Sequence, residues 1–271
     1  MKRWHLVELE DLPWVPRVIR DGATDVLDWM FARLKMYLPV VDRLRATLDA
    51  TAQQDIVDLC SGGAGGALAM STYLRDRGDA GTRMTLTDRY PSASAIARIN
   101  ANANANARLR YHGEPVDALA VPRDLRGVRT MYSALHHFRP AEVKRLIAAA
   151  VADRAPIAFF DIAAAPALRR LPAPLVPFAM LFNFLMILVL VPFMVPFVRP
   201  FRASRLVFTY LIPLIPFLYA WDGTVSAVRA YTPEELDELA RSVPGASHYL
   251  WESGRAGTGV RAVLYLTGRP A

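Results

Sequence analysis

The sequence has 271 residues, 53% of them hydrophobic, and its length fits one large α/β domain or one domain with an insertion. Its formal net charge of +7 suits nucleic acid, an anionic membrane surface or an acidic substrate. The arginines are scattered and no nucleic-acid-binding motif occurs, so nucleic acid is not expected as a partner. The only cysteine, Cys60, excludes an internal disulfide and a thiolate-rich metal site.

Residues 1–50 are predicted to form an N-terminal helical cap outside the sheet. The opening stretch MKRWHLVELEDLP lacks the apolar core of a signal peptide and soon turns acidic, which predicts a cytoplasmic start. Val26–Leu48 carries apolar residues at helical spacing, with Pro39 as a bend or break. Such a layer either packs on the sheet or covers the substrate.

A loop of small residues follows the first predicted strand, in the stretch Asp55–Gly66, which reads DIVDLCSGGAGG. Its glycines let the backbone turn sharply and approach a ligand closely. The helix predicted for Ala67–Arg77 would point its unpaired N–H groups into this loop. A strand, a glycine loop and a helix in this order favour a nucleotide-type cofactor site, although the same order also serves as a plain connection.

Strands and helices alternate along the rest of residues 51–165. Strands are predicted at Arg83–Thr87, Leu109–Glu114, Val128–Leu135 and Pro156–Ile162, and helices at Pro91–Ala103 and Pro140–Ala152. Repeated βα units imply a parallel sheet with helices on both faces and ligands at the carboxyl ends of its strands.

The pattern resumes in residues 226–271, which are assigned to the same domain. Thr232 is a good N-cap for a helix at Pro233–Arg241, because Glu235 stands three residues further on. Two strands then alternate in polarity, His248–Ser253 and Val260–Thr267, with Gly254–Gly259 as the turn between them. They predict an antiparallel end to the sheet.

Residues 166–225 form a hydrophobic insertion with two apolar runs, Leu171–Val198 and Leu206–Trp221. The first could span a bilayer, but the last strands must rejoin the sheet, so the chain makes either no crossing or two. Two crossings would translocate the basic loop Arg199–Arg205, against the positive-inside tendency. We therefore expect a hairpin that dips into one leaflet, with a soluble lid, an oligomer face or a true spanning hairpin as alternatives. Asn183 is expected to form a helix–helix hydrogen bond.

Taken together, these motifs resemble those of the class I S-adenosylmethionine-dependent methyltransferases, over about residues 50–165 and more loosely 230–268. Those enzymes commonly carry D-L-G-x-G-x-G after the first strand, where Asp58–Gly65 reads D-L-C-S-G-G-A-G. An acidic residue ends their second strand, as Asp88 does, and another often follows the third, as Asp117 does. The run S-A-L-H-H-F at Ser133–Phe138 resembles their fourth strand end.

The resemblance implies a Rossmann-like, doubly wound α/β fold with S-adenosylmethionine as the cofactor. Its seven-stranded sheet would be mostly parallel, with an antiparallel C-terminal hairpin strand. The cofactor-binding residues it implies are Asp58, Cys60, Ser61, Gly62, Gly63, Asp88, Arg89, Asp117, Ala118 and Ser133. Asp58 and Asp88 could instead be helix or turn caps, and Asp117 a turn residue. Cys60 is expected to be a small buried residue and not a nucleophile.

Methyl transfer to a hydroxyl or carbon nucleophile needs alignment and a base, and histidine suits that role near neutral pH. His137 and His136 form the only adjacent histidine pair, so one of them is the candidate base, with packing and cofactor contact as the alternatives. Strand alternation would point them in opposite directions. Asp161 is a weaker candidate. No histidine or acidic cluster has metal-ligand spacing, which predicts a metal-independent reaction.

Asp222 and Tyr231 follow the insertion, with Arg229 between them, and could orient a polar substrate head. A structural Asp222–Arg229 pair is the alternative. The leading hypothesis is methyl transfer to a lipophilic small molecule (a quinone or phenol, isoprenoid, fatty acid or lipid) on the cytoplasmic side of a membrane, by a peripheral or monotopic enzyme. The alternatives are a methyltransferase for a soluble hydrophobic substrate and a non-catalytic membrane scaffold that binds the cofactor.

Overall fold

The computed structural model describes residues 3–79, 81–101, 108–162 and 171–271. The chain divides into two compact units. The helical unit comprises Met1–Arg33 and Ala163–Tyr231, and the sheet unit comprises Leu34–Ile162 and Thr232–Ala271. This division differs from the predicted one, because the first N-terminal helix groups with the insertion while the second groups with the sheet. The predicted start of the insertion, at residue 166, lies outside the described residues.

The sheet unit contains seven strands in the order β3-β2-β1-β4-β5-β7-β6. Their bounds are β1 Asp55–Asp58, β2 Arg83–Leu86, β3 Leu109–Tyr111, β4 Val128–Tyr132, β5 Ile157–Asp161, β6 Tyr249–Ala256 and β7 Val263–Pro270. Strands β1 to β5 are parallel to their neighbours, whereas β7 is antiparallel to both β5 and β6. The predicted mostly parallel sheet with an antiparallel C-terminal hairpin is therefore confirmed.

The described helices are, in chain order, α1 Arg17–Arg33, α2 Val41–Thr51, α3 Gly65–Asp76, α4 Ala93–Ala101, α5 Pro140–Ala152, α6 Val176–Met194, α7 Ala203–Leu206, α8 Leu214–Arg229 and α9 Pro233–Arg241. The predicted cap of α9 is confirmed: the Thr232 hydroxyl accepts from the Glu235 N–H at 3.2 Å, and the Glu235 carboxylate accepts from the Thr232 N–H at 2.9 Å. The break between α1 and α2 spans residues 34–40, and the predicted Pro39 lies within it, in the 3-10 turn Leu38–Val40.

Several strand boundaries differ from the predicted ones, and two of the differences have a structural reason. Strand β4 ends at Tyr132, because Ser133 has φ +51° and starts a turn that continues as a 3-10 helix at Leu135–His137. Gly254 lies inside β6 and not in the hairpin turn. A Cβ atom there would lie 2.7 Å from the Tyr265 hydroxyl, so the strand passes this ring only because residue 254 is glycine.

The helical unit is built on α8, against which α6 and α1 both pack. The predicted helix–helix hydrogen bond is confirmed: the Asn183 side-chain amide donates to the Thr224 hydroxyl at 3.0 Å. On α1, Gly22 admits close contact, since a Cβ atom there would lie 2.4 Å from Ile215 Cδ1. Among the described residues, one helical stretch, Ala173–Phe197, is long and apolar enough to cross a membrane.

The basic loop after α6 is less open to solvent than its sequence indicates. Arg205 is buried and pairs with Asp25, and its guanidinium also donates to the Val198 carbonyl at 2.8 Å. Arg202 shares Asp25 at 3.4 Å and is about one-third exposed. The charge of Arg205 is therefore paired inside the unit, and this arginine is not open to anionic groups outside it.

Candidate cofactor site and catalytic residues

Asp58, the acidic residue at the end of β1, anchors the glycine loop through its side chain. The Asp58 carboxylate is buried and accepts hydrogen bonds from the Ser61 hydroxyl at 2.6 Å and the Thr130 hydroxyl at 2.7 Å. Burial raises the pKa of Asp58 to about 7, although both hydroxyl donors oppose the shift. Asp58 and Ser61 thus fix the loop to the neighbouring strand β4.

Alternate residues of the loop adopt left-handed backbone conformations. The φ angles are +57° at Cys60, +47° at Gly62 and +74° at Ala64. These are the positions at which the resembled family commonly carries glycine, so the loop keeps the glycine conformation where two side chains have replaced it. Backbone hydrogen bonds hold this shape, among them Ser61 N–H to the Thr87 carbonyl at 2.9 Å. The pKa of the Cys60 thiol is raised by burial, consistent with an inert side chain.

The acidic residue just after β2 is bonded to this loop. One carboxylate oxygen of Asp88 accepts from the Gly62 N–H at 2.9 Å, and the other accepts from the Tyr90 N–H at 2.8 Å. Two side chains donate hydrogen bonds to carbonyl groups of the loop. The Tyr111 hydroxyl donates to the Gly62 carbonyl at 2.9 Å, and the Arg98 guanidinium donates to the Gly63 carbonyl. The structure therefore brings Asp88, Gly62 and Gly63 together at the carboxyl edge of the sheet.

The segment after β3 joins the same edge. The Val116 N–H donates to the Asp88 carbonyl at 2.8 Å, which places Asp117 and the buried Ala118 beside the end of β2. Asp117 accepts from the Leu119 N–H at 2.9 Å, which is the contact of a turn residue. Its other oxygen lies 3.8 Å from the Arg89 guanidinium.

Ser133 and a tyrosine that the sequence analysis did not single out meet at the end of β4. The hydroxyls of Tyr37 and Ser133 lie 2.6 Å apart, and the Ser133 oxygen also accepts from the Ile162 N–H at 3.2 Å. Tyr37 is fully buried, and its ring contacts the Tyr132 ring edge-on at 5.1 Å. Nothing in the local pattern around Tyr37 indicated this contact, because its partner lies far away in sequence.

The two adjacent histidines lie in the 3-10 turn after β4. His136 is buried, and its Nδ1 lies 2.8 Å from a carboxylate oxygen of Asp161, which also accepts from the His136 N–H at 3.2 Å. The ring of half-buried His137 lies 4.5 Å from that of His136. Because β4 has already ended, the rings do not alternate in direction as predicted. Asp161, considered the weaker candidate, is the residue that orients His136.

The other predicted catalytic residues belong to the helical unit. Buried Asp222 accepts from the backbone N–H groups of Leu9 at 2.6 Å and Glu10 at 3.0 Å, and burial raises its pKa to about 7. The side chain of Arg229 lies 2.9 Å from Glu8, so Asp222 and Arg229, the alternative structural pair, each bind the N-terminal segment.

Tyr231 ends the helical unit and is also engaged within it. Its side chain is buried, and the Arg3 guanidinium lies over its ring at 3.9 Å from the centroid. Together with Asp222 and Arg229, it fastens the N-terminal segment to the end of α8. Contact with a substrate remains a prediction for both Asp222 and Tyr231.

Comparison with solved structures identifies the fold. No protein-family model matches the chain, and no curated protein matches it. It is similar to the plantazolicin methyltransferase BpumL in complex with SAH, at 10% identity and a TM-score of 0.56, covering 95% of this chain and 93% of that one. It is also similar to the O-methyltransferase NcsB1 from neocarzinostatin biosynthesis, at 13% identity and a TM-score of 0.51, covering 94% of this chain and 59% of that one. The predicted Rossmann-like methyltransferase fold is thus confirmed.

Proposed function

We propose that this protein transfers a methyl group from S-adenosylmethionine to a lipophilic small molecule at a membrane surface. The observation that carries the proposal is the bond between Asp88 and the left-handed glycine loop at Gly62, within a methyltransferase fold. Both similar structures were crystallised with this cofactor or its product: BpumL with SAH, and NcsB1 with S-adenosylmethionine and a naphthoic acid.

The residues of the loop fit such a cofactor. Among the described residues, apart from its two chain neighbours, no atom lies within 4 Å of the position that a Cβ on Gly62 would occupy, so the backbone there can be approached closely. Each Asp88 oxygen accepts one N–H and has further acceptor capacity for ribose hydroxyls. Ser61 and Asp58 bond to each other and support the loop. When bound, S-adenosylmethionine supplies an electrophilic methyl group on a sulfonium sulfur.

The histidine pair supplies the base in this proposal. A carboxylate accepts hydrogen bonds, so the Asp161 contact assigns the proton of His136 to Nδ1 and makes Nε2 the nitrogen that takes up a proton. His137 is less buried and is the second candidate. Either histidine would remove the proton from the acceptor hydroxyl or carbon acid while the acceptor atom forms its bond to the methyl group.

The exposed apolar surface of α6 supports a lipophilic acceptor and a membrane location. Ala173–Phe197 has 25 residues, and only 11% of its most apolar part is buried. The core helix of a soluble protein, or a lid closed over a pocket, would bury most of such a helix. This exposure supports a peripheral or monotopic protein with an acceptor drawn from the lipid phase, and we propose the cytoplasmic side as its location.

The experiment measures cofactor binding and product formation separately. Detergent-solubilised protein should bind S-adenosylmethionine in calorimetry, and with labelled cofactor and a lipid extract it should yield a labelled organic-phase product. Asp88→Ala should lose both. The matched control is Asp237→Ala, which removes a partly exposed acid bonded to Arg241 on α9 and should keep both. Folded protein that binds no cofactor, or an Asp88→Ala variant with full transfer, would refute the proposal.

A further inference from the structure

The side of α6 that points away from its neighbours is apolar along the whole helix. This outer face consists of exposed residues at helical spacing: Phe178, Leu181, Phe182, Leu185, Met186, Val189, Leu190, Phe193 and Phe197. Surface helices of soluble proteins carry polar residues on this side, whereas α6 contains no charged residue at all. At 1.5 Å per residue, the helical stretch Ala173–Phe197 extends for about 37 Å.

The opposite side of α6 packs within the helical unit. Asn183 bonds to Thr224 on α8, and a Cβ on Gly223 would lie 3.3 Å from Ile187. Val191 and Val195 pack with Val26 of α1 in one buried cluster. The middle of α6 is therefore level with residues 223–224 of α8, and its C-terminal part is level with the middle of α1.

Charged groups lie at the same level as the middle of α6, on the far side of the unit. Asp222, next to Gly223, binds the N–H groups of Leu9 and Glu10. The neighbouring Asp11 side chain is 46% exposed. On α1, an ion pair between Arg17 and Asp21 is also exposed. The exposed charges described here thus lie on the N-terminal segment and on α1, and not on α6 itself.

The positions of these exposed charges distinguish two orientations of α6 relative to a bilayer. If α6 crossed the membrane, its middle would lie at the bilayer centre, and Asp11 and Glu10 would be carried to that depth. If α6 lies along the membrane plane, only the outer face enters the lipid and these exposed charges stay in water. The second arrangement leaves no exposed charge in hydrocarbon.

We propose that α6 lies parallel to the membrane and inserts its outer face into a single leaflet, with the exposed charges of α1 and the N-terminal segment on the aqueous side. This inference rests on the membrane association in the proposed function and specifies how it occurs. At the C-terminal end of α6, exposed Arg199 and partly exposed Arg202 stand beside exposed Phe197 and Phe201, an arrangement that suits lipid phosphates above acyl chains.

The composition of the outer face favours lipid over a second protein surface. Protein interfaces surround an apolar core with a polar rim and carry hydrogen-bonding groups within the patch. The outer face offers no side-chain donor or acceptor over its whole length, apart from the weak thioether of Met186. Its phenylalanines stand at both ends, with Phe178 and Phe182 near one and Phe193 and Phe197 near the other.

Spin-label depth measurements test the orientation. Cys60 is replaced by serine, and single cysteines are placed at Phe178, Leu185, Phe193 and, on α1, Arg17. Each nitroxide-labelled protein is bound to phosphatidylcholine–phosphatidylglycerol vesicles. We expect the three α6 labels at equal depth, just below the phosphates, and the Arg17 label in water. A spanning helix would place Leu185 deeper than both ends by about 11 Å, because each end is seven or eight residues away.

A partition measurement supports the assignment with variants of the native chain. The double variant Phe182→Asp with Phe193→Asp should bind vesicles at least tenfold less, since each buried phenylalanine contributes strongly to partition. Val18→Asp changes an exposed apolar residue of α1 outside the outer face and should leave partition unchanged. Labels that all remain in water, or a deeper Leu185 label, would overturn the inference. Cofactor binding and transfer by the unmodified protein are measured separately, so their failure would refute the proposed function and not the orientation.

Discussion

At the scale of single residues, the glycine loop keeps its conformation where two of its expected glycines are absent. Cys60 and Ala64 both have positive φ angles, each at a cost of about 1 kcal/mol relative to glycine. The surrounding contacts offset that cost: Ser61 bonds to Asp58 and to the backbone of Thr87, and Asp88 bonds to Gly62. The loop shape therefore depends on a hydrogen-bond network as well as on glycine content.

The buried Asp58 makes stability depend on pH. Its folded pKa of about 7 lies above the ordinary value of 3.8, so between these values the folded protein holds a proton that the unfolded chain has lost. The free energy of unfolding should therefore fall as pH rises through this range, by up to about 1.4 kcal/mol per pH unit. Asp58→Asn should show a smaller fall in denaturant titrations at pH 5, 6 and 7.

Asp222 is the natural reference for this measurement. Its pKa is raised in the same direction and it remains in the Asp58→Asn variant, so the pH dependence should shrink and not vanish. Equal slopes for the two proteins would show that Asp58 does not carry the proton. A steeper fall of the free energy of unfolding in the variant would contradict the predicted direction of the Asp58 contribution.

The base assignment makes a second prediction at this scale. Replacing the histidine that serves as base by alanine should lower kcat by about 10²–10⁴-fold with little change in cofactor affinity. Asp161→Asn should lower kcat less and change the shape of the pH–rate profile, because Asp161 only orients His136. His248→Ala, at an unrelated histidine before β6, is the control. Wild-type rates in both His136→Ala and His137→Ala would contradict the assignment.

The sequence predicted those site residues that follow strands in regular order. Asp58, Gly62 and Asp88 meet because parallel strands end at one edge, so strand order alone brings them together. The side-chain partners of these residues were not predictable in the same way. Tyr37 reaches Ser133 from a segment assigned to a separate cap, and Asp161 reaches His136 from the next strand. Contacts of this kind depend on packing between distant segments, which periodicity does not report.

At the scale of elements, the apolar helices accommodate prolines through compensating contacts. Pro196 has no N–H to offer to the carbonyl of Pro192, one turn earlier in the helix. The Tyr210 hydroxyl donates to this carbonyl at 2.6 Å instead. Pro196 itself lies in the 3-10 turn Val195–Phe197, just after α6 ends at Met194. The Tyr210 contact therefore compensates for this proline at the C-terminal end of the helix.

The polar pair between α6 and α8 gives a prediction at the element scale. Asn183→Ala should destabilise the helical unit by about 1–2 kcal/mol, because the Thr224 hydroxyl is then left unpaired in an apolar interface. Combining Asn183→Leu with Thr224→Val should restore most of that loss. Thermal unfolding of Asn183→Leu, Thr224→Val and the combined variant in detergent completes the double-mutant cycle, and a coupling energy below a few tenths of a kcal/mol would show that the bond contributes nothing.

At the scale of the whole molecule, the first helix belongs with the insertion and not with a separate cap. The reason lies in complementary packing: Ile19 and Ala23 share a buried cluster with Ile215 and Leu218, and Val26 packs with α6. The amphipathic pattern of α1 indicated a buried face but not the surface that covers it. The sequence therefore predicted the helix, whereas its grouping with the insertion depends on side-chain packing between distant segments.

The net charge of +7 and the outer face of α6 together predict how salt affects vesicle binding. Raising the salt concentration from 0.1 to 1 M shortens the Debye length from about 10 Å to about 3 Å, so attraction to anionic vesicles should weaken several-fold. Salt does not screen the insertion of apolar side chains into lipid. Each inserted phenylalanine contributes roughly 1.5–3 kcal/mol to the free energy of vesicle binding. Wild-type protein should therefore keep measurable binding in 1 M salt and to purely zwitterionic vesicles, whereas the double variant of Phe182 and Phe193 should bind anionic vesicles at low salt only. Complete release of the wild type at 1 M salt in flotation assays would mean that charge alone attaches the protein.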